Sequence, residues 1–114
     1  LITLLFDGAE AALAAAQSQL AANDLRGKSE SLTKAMTIIV EGLSASLSVE
    51  KGGELAERLK ALYSYMVSRL IHANIHKDAA AIAEVQQLLA EISGAWREMR
   101  PNSGGDQNSG QQNR

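Results

Sequence analysis

The sequence predicts an all-α protein, an antiparallel four-helix bundle with a disordered polar C-terminal tail. Three observations carry this reading. Alanine and leucine abound, while the 114 residues include one proline and only 4% aromatics, a composition that favours helix. Apolar residues recur at steps of three and four in segments of about 20 residues, each about 30 Å long as a helix. The breaks between segments are short, which lays consecutive helices side by side and antiparallel.

The helical segments run over roughly 1–22, 25–47, 54–75 and 78–100. In the first, alanines dilute the apolar pattern after Phe6, and such small residues let helices approach closely. The second carries Leu25, Leu32, Met36, Ile39, Leu43 and Leu47 on one face. The third carries Leu55, Leu59, Leu62, Met66, Leu70 and Ala73, and the fourth Ile82, Val85, Leu89, Ile92, Trp96 and Met99. Each stripe has the spacing of a helix face turned to a core. Asn23-Asp24 ends the first helix and caps the second. Gly52-Gly53 breaks the chain, and Glu54 and Glu57 then favour the positive end of the third helix. Asp78 suits the N-cap of the fourth helix, and Pro101 stops it. Residues 1–100 thus read as one domain. Residues 101–114 hold no large apolar side chain to offset the entropy of ordering, and read as a disordered tail.

Composition excludes several functions. Net charge is −2 and the charges are mixed, so no basic stripe points to nucleic acid. Cysteine is absent, which excludes disulfides and thiol chemistry and suits the cytosol. No apolar run reaches transmembrane length, so membrane insertion is not expected. The opening Leu1-Ile2-Thr3-Leu4-Leu5-Phe6 lacks the basic flank of a signal peptide. A first residue other than Met suggests a start inside a longer protein.

No motif supports catalysis. Gly27-Lys28-Ser29 echoes the end of a phosphate loop, but Ala22 stands where the loop needs glycine, and no strand precedes it. It reads as a surface turn of the second helix. Ser31-Leu32-Thr33-Lys34 has the Ser-x-x-Lys spacing of penicillin-binding enzymes without their companion elements. His72 and His76 stand at i and i+4 with Asp78 nearby, yet no glutamate sits between them to act as base. They read as helix-end histidines. The carboxylate pairs Asp7/Glu10 and Glu54/Glu57 lack an accompanying histidine, and there is no Glu-x-x-His of a di-iron bundle. We expect no enzymatic activity, no metal and no cofactor. Tyr63 and Tyr65 project to different sides of the third helix. Arg69 lies near the core stripe, its head seeking a carboxylate or carbonyls.

Apolar residues beyond the stripes mark where a partner would bind. Tyr63, Val67 and Ile71 form a second line on the third helix, reaching Asn74. Ala35, Ile38, Gly42 and Ala45 form a flank on the second. Together these lines suggest a shallow groove for an amphipathic helix, against the simpler reading of wide core stripes with scattered surface apolar residues.

One stretch resembles a known family. Leu62-Tyr63-Ser64-Tyr65-Met66-Val67-Ser68-Arg69-Leu70-Ile71-His72-Ala73-Asn74, followed by Asp78, is similar to the signature of the flagellin export chaperones, the FliS family. So are Leu4-Leu5-Phe6-Asp7-Gly8-Ala9, Lys34-Ala35-Met36-Thr37-Ile38-Ile39 with Leu43 and Leu47, Gly52-Gly53-Glu54 with Leu59, Glu84-Val85 and Ala95-Trp96, in order over roughly residues 1–100. The resemblance implies a non-enzymatic cytosolic chaperone. Its partner would be the C-terminal region of flagellin, kept from polymerising and competent for type III export, then handed to a component of the membrane export gate. The family's N-terminal extension, with its tyrosine, has no counterpart here, and Ser48-Val49 stands where an aspartate often follows the second helix. Two alternatives stay open. One is a bundle that regulates another protein, such as an anti-sigma factor or a co-chaperone. The other is a metal or small-ligand bundle built on His72 and His76.

Overall fold

Capping chemistry places the helix ends. A computed structural model describes residues 1–99, at Val49 by its backbone alone. Helix α1 spans Ile2–Ala21, α2 Leu25–Thr37, α3 Val49–His76 and α4 Ala79–Met99. Helix α2 continues without a break into a π-helical segment, Ile38–Ser44.

At the end of α1, Asn23 takes the left-handed conformation with φ 60°. The Asn23 and Asp24 amides then donate to the Leu20 and Gln19 carbonyls at 3.0 and 2.8 Å, the paired bonds of a Schellman close. Asp24 accepts from the Gly27 amide at 3.0 Å and caps α2. Lys77, φ 54°, closes α3 in the same way, with the Asp78 amide donating to the Ala73 carbonyl at 3.0 Å. Asp78 in turn accepts from the Ala81 amide at 3.2 Å and caps α4.

The third helix departs from expectation. It begins at Val49 rather than 54, because Ser48 accepts from the Lys51 amide and caps an extra turn. The expected break is present inside it: Gly53 has φ 57° and ψ −132°, a conformation open to glycine alone, and it kinks the helix.

The helices pack in chain order around a closed ring: α1 on α2 and α4, and α3 on α4 and on α2 with its π-helical extension. This is the antiparallel four-helix bundle that the stripes predict. Large apolar residues from every element meet in the centre: Phe6 and Leu13, Leu32 and Ile39, Met66 and Leu70, Ile82, Val85 and Leu89. Ala9, Ala12 and Ala16 face them from α1, so its faint apolar pattern is a face of small residues at a close helix contact.

Besides Leu25, which is only partly buried at the start of α2, three residues assigned to the core by their spacing lie outside it. Leu55 is 59% exposed, Trp96 39% and Met99 71%. All three cluster at one end of the bundle, where the apolar stripes of α3 and α4 run beyond the packing that would cover them. Residues 101–114, expected to be a disordered tail, fall outside the described residues.

Candidate apolar binding pocket

The uncovered stripes form a pocket of about 530 Å³ at that end, within the usual size range of ligand sites. The first turns of α1 contribute Ile2 and Phe6, the π-helical segment and the following turn Leu43 and Leu47, and the start of α3 Leu55 and Leu59. The end of α4 closes it with Ile92, Trp96 and Met99. Polar groups are few: Ser46, Ser48 and Lys51 at the margin, and Tyr63. Tyr63 is buried, and desolvation pushes its phenol above the usual tyrosine range. Its hydroxyl makes no hydrogen bond to another described side chain or backbone group.

The groove expected between α2 and α3 is not assembled. Ala35 is fully buried in the core, and Tyr63 is a core residue lining the pocket instead of part of an exposed line. Ile38 and Gly42 turn toward α1, where Ile38 lies against Gly8 and Gly42 against Leu5. The α2 flank is therefore taken by α1. Val67 packs against the core, Ala45 is exposed, and Ile71 is 48% exposed on the outer side of α3. Asn74 is engaged elsewhere: its carbonyl accepts from Lys28 Nζ at 3.0 Å and its side chain from Ser29 Oγ at 2.9 Å. Gly27-Lys28-Ser29 is thus no simple surface turn. Lys28 is 3% exposed, and its ammonium ties α2 to the end of α3.

The other polar groups act as ties between helices. Arg69 Nε donates to Glu84 at 2.8 Å, and the Tyr65 hydroxyl donates to the other oxygen of the same carboxylate. The Tyr65 hydrogen bond and then Arg69 hold the Glu84 carboxyl below the usual glutamate range. Tyr65 itself is exposed, the opposite of Tyr63. His72 Nε2 lies 3.2 Å from Asp78, and the His76 ring lies tilted against His72 with centroids 4.5 Å apart. The Ala81 amide, followed by His72, lowers the Asp78 pKa. Among the described residues, no group of three or more His, Cys, Asp or Glu is placed to hold a metal ion. Asp7 pairs with Arg97 at 2.9 Å, and Glu10 accepts from the buried Ser93 hydroxyl at 3.1 Å, so this carboxylate pair joins α1 to α4. Glu54 pairs with Arg58 within its own helix at 3.2 Å. No helix among the described residues is long and apolar enough to cross a membrane.

The fold is a helical bundle with an apolar pocket at an uncovered end of its own core. Comparison with known proteins assigns it further. The family model described as "Flagellar protein FliS" matches residues 1–103, and the chain belongs to that family. It is 50% identical over 101 residues to the flagellar secretion chaperone FliS of Salmonella typhimurium, covering 89% of this chain and 75% of that protein. It is 47% identical over 98 residues to the flagellar secretion chaperone FliS of Escherichia coli, covering 86% and 72%. With the flagellar secretion chaperone FliSB of Pseudomonas aeruginosa the identity is 40% over 96 residues, covering 84% and 75%.

Proposed function

We propose that this chain is a non-enzymatic, cytoplasmic chaperone of flagellar export. It binds the C-terminal region of flagellin, covers the surface through which flagellin polymerises, and keeps that region unfolded enough for the type III export apparatus. The bound complex is then delivered to the export gate.

The end pocket is the observation that carries this reading. Leu55, Trp96 and Met99 belong by spacing to core stripes, yet they stand exposed around an apolar cavity. Covering the part of each that remains exposed would contribute on the order of 1 kcal/mol or more, so an amphipathic segment from a partner has a gain available there. An exported subunit that stays disordered until assembly supplies such a segment. Its ordering offsets much of that gain, which suits a cargo that must be released.

Titration calorimetry of the full-length protein against the C-terminal segment of flagellin from the same organism tests the proposal. Saturable one-to-one binding with a negative heat-capacity change is the expected result. A folded protein that gives no heat with this segment overturns it and favours a regulator of a different protein.

A further inference from the structure

The π-helical stretch Ile38–Ser44 is rare architecture, and such turns concentrate at functional sites. Here it contributes Leu43 to the pocket, and the turn that follows contributes Ser46 and Leu47. Ile39, Leu43 and Leu47 are separated by two successive steps of four. In an α-helix each such step drifts about 40° around the axis. Two of them would carry Leu47 off the line of Ile39 and bring Ser46 toward it. The wider π turn takes up the drift of the first step, from Ile39 to Leu43. The Ala45 amide donates to the Val40 carbonyl, five residues back, at 3.2 Å. Leu43 is then buried, Leu47 packs against the core, and both line the pocket.

Gly42 lies within this stretch. A Cβ added there would meet the two Leu5 methyl groups at 3.0 and 3.2 Å. The Leu5 side chain of α1 therefore seats on the π-helical segment at a position with no side chain of its own. Ile2 and Phe6, on either side of Leu5 in the chain, line the pocket from α1.

We infer that the π-helical segment and its Gly42–Leu5 contact set the shape of the pocket, with Gly42 as a positioning residue for binding. The inference rests on the proposed function in taking the pocket as the working site. A methyl at residue 42 crowds the two Leu5 methyl groups, which must give by a few tenths of an ångström and loosen the seat of α1 beside Ile2 and Phe6. Shortening Leu5 to alanine removes the clash and returns α1 to its seat.

Three variants, Gly42→Ala, Leu5→Ala and the double variant, test this with two probes. The first probe is anilinonaphthalene sulfonate, an apolar dye that reports the pocket without any protein partner, with the emission of Trp96 as a second signal. The second is the flagellin C-terminal segment. Gly42→Ala is expected to weaken both by about fivefold or more, equivalent to about 1 kcal/mol, with helical content retained. The double variant is expected to bind both more tightly than Gly42→Ala does. Wild-type binding by Gly42→Ala overturns the inference. So does a double variant no better than Gly42→Ala, whether it is folded or not. Dye binding that follows the expected pattern while wild-type protein ignores the flagellin segment upholds the pocket's design and removes the chaperone reading. Flagellin binding that is indifferent to Gly42→Ala does the reverse.

Discussion

Lys28 offers the sharpest test of how the helices are held together. It is 3% exposed, and its ammonium donates to the carbonyl of Asn74 at 3.0 Å. That carbonyl belongs to the last turn of α3, where carbonyls lack intrahelical partners and where positive charge is favoured. Lys28→Met preserves the length of the apolar stem and removes only the head. A hydrogen bond to a charged group contributes about 1.5–3 kcal/mol. Relief from burying an ammonium offsets part of this, so a net loss of about 1–2 kcal/mol is expected. At roughly 4–8 °C per kcal/mol for a domain of this size, the melting temperature falls by about 5–15 °C. Urea unfolding followed by circular dichroism measures the loss at an unchanged slope. Equal or greater stability of Lys28→Met would refute the reasoning and show that the desolvation cost of the ammonium outweighs what the clasp returns.

Three further outcomes are expected. Lys77 adopts a left-handed conformation, so Lys77→Gly should raise stability by up to about 1 kcal/mol, read as a higher urea midpoint. The lowered pKa values of Asp78 and Glu84 mean that these carboxylates bind protons less readily folded than unfolded. Their stabilisation is therefore complete above the ordinary carboxylate range and is lost as pH falls through their folded values. Acid melting of Glu84→Gln should accordingly be flatter below about pH 4 than that of wild type. Leu55 lies on the pocket rim. Leu55→Asp should weaken binding of the flagellin segment by about 10- to 100-fold, the cost of about 1.5–3 kcal/mol of lost burial. Its thermal midpoint should barely move, and Ile71→Asp, away from the pocket, should bind more tightly than Leu55→Asp.

Much of the architecture was legible in the sequence because it depends on local rules. Steps of three and four revealed the helices, Asn23, Asp24 and Asp78 marked their ends, and Gly53 marked a kink inside the third. The site was less legible, because periodicity identifies an inward-leaning face without saying whether anything covers it. Leu55, Trp96 and Met99 obey the same spacing as Met66, Val85 and Leu89, yet only the latter three meet side chains on all sides. Tyr63 and Ala35 illustrate the reverse error. They sit one position from stripe residues, and each bundle face is wide enough to bury them. The reach of Lys28 to Asn74 spans 46 positions, and no local pattern announces it.

The polar ties are unevenly distributed. Lys28, Ser29, Gln17 and the His72–Asp78 pair bind the helices at the end opposite the pocket. At the pocket end, Asp7 and Glu10 fasten α1 to α4, while the polar bonds at the start of α3 stay within α3 and its cap. Opening free energies should follow this distribution. Amide exchange is expected to be slowest around Leu70 and Ala73 and fastest in the turns on either side of Gly53. The bundle would then unlatch from one end only, so a segment arriving at the pocket meets the part of the protein that yields at least cost while the far corner keeps the helices in register.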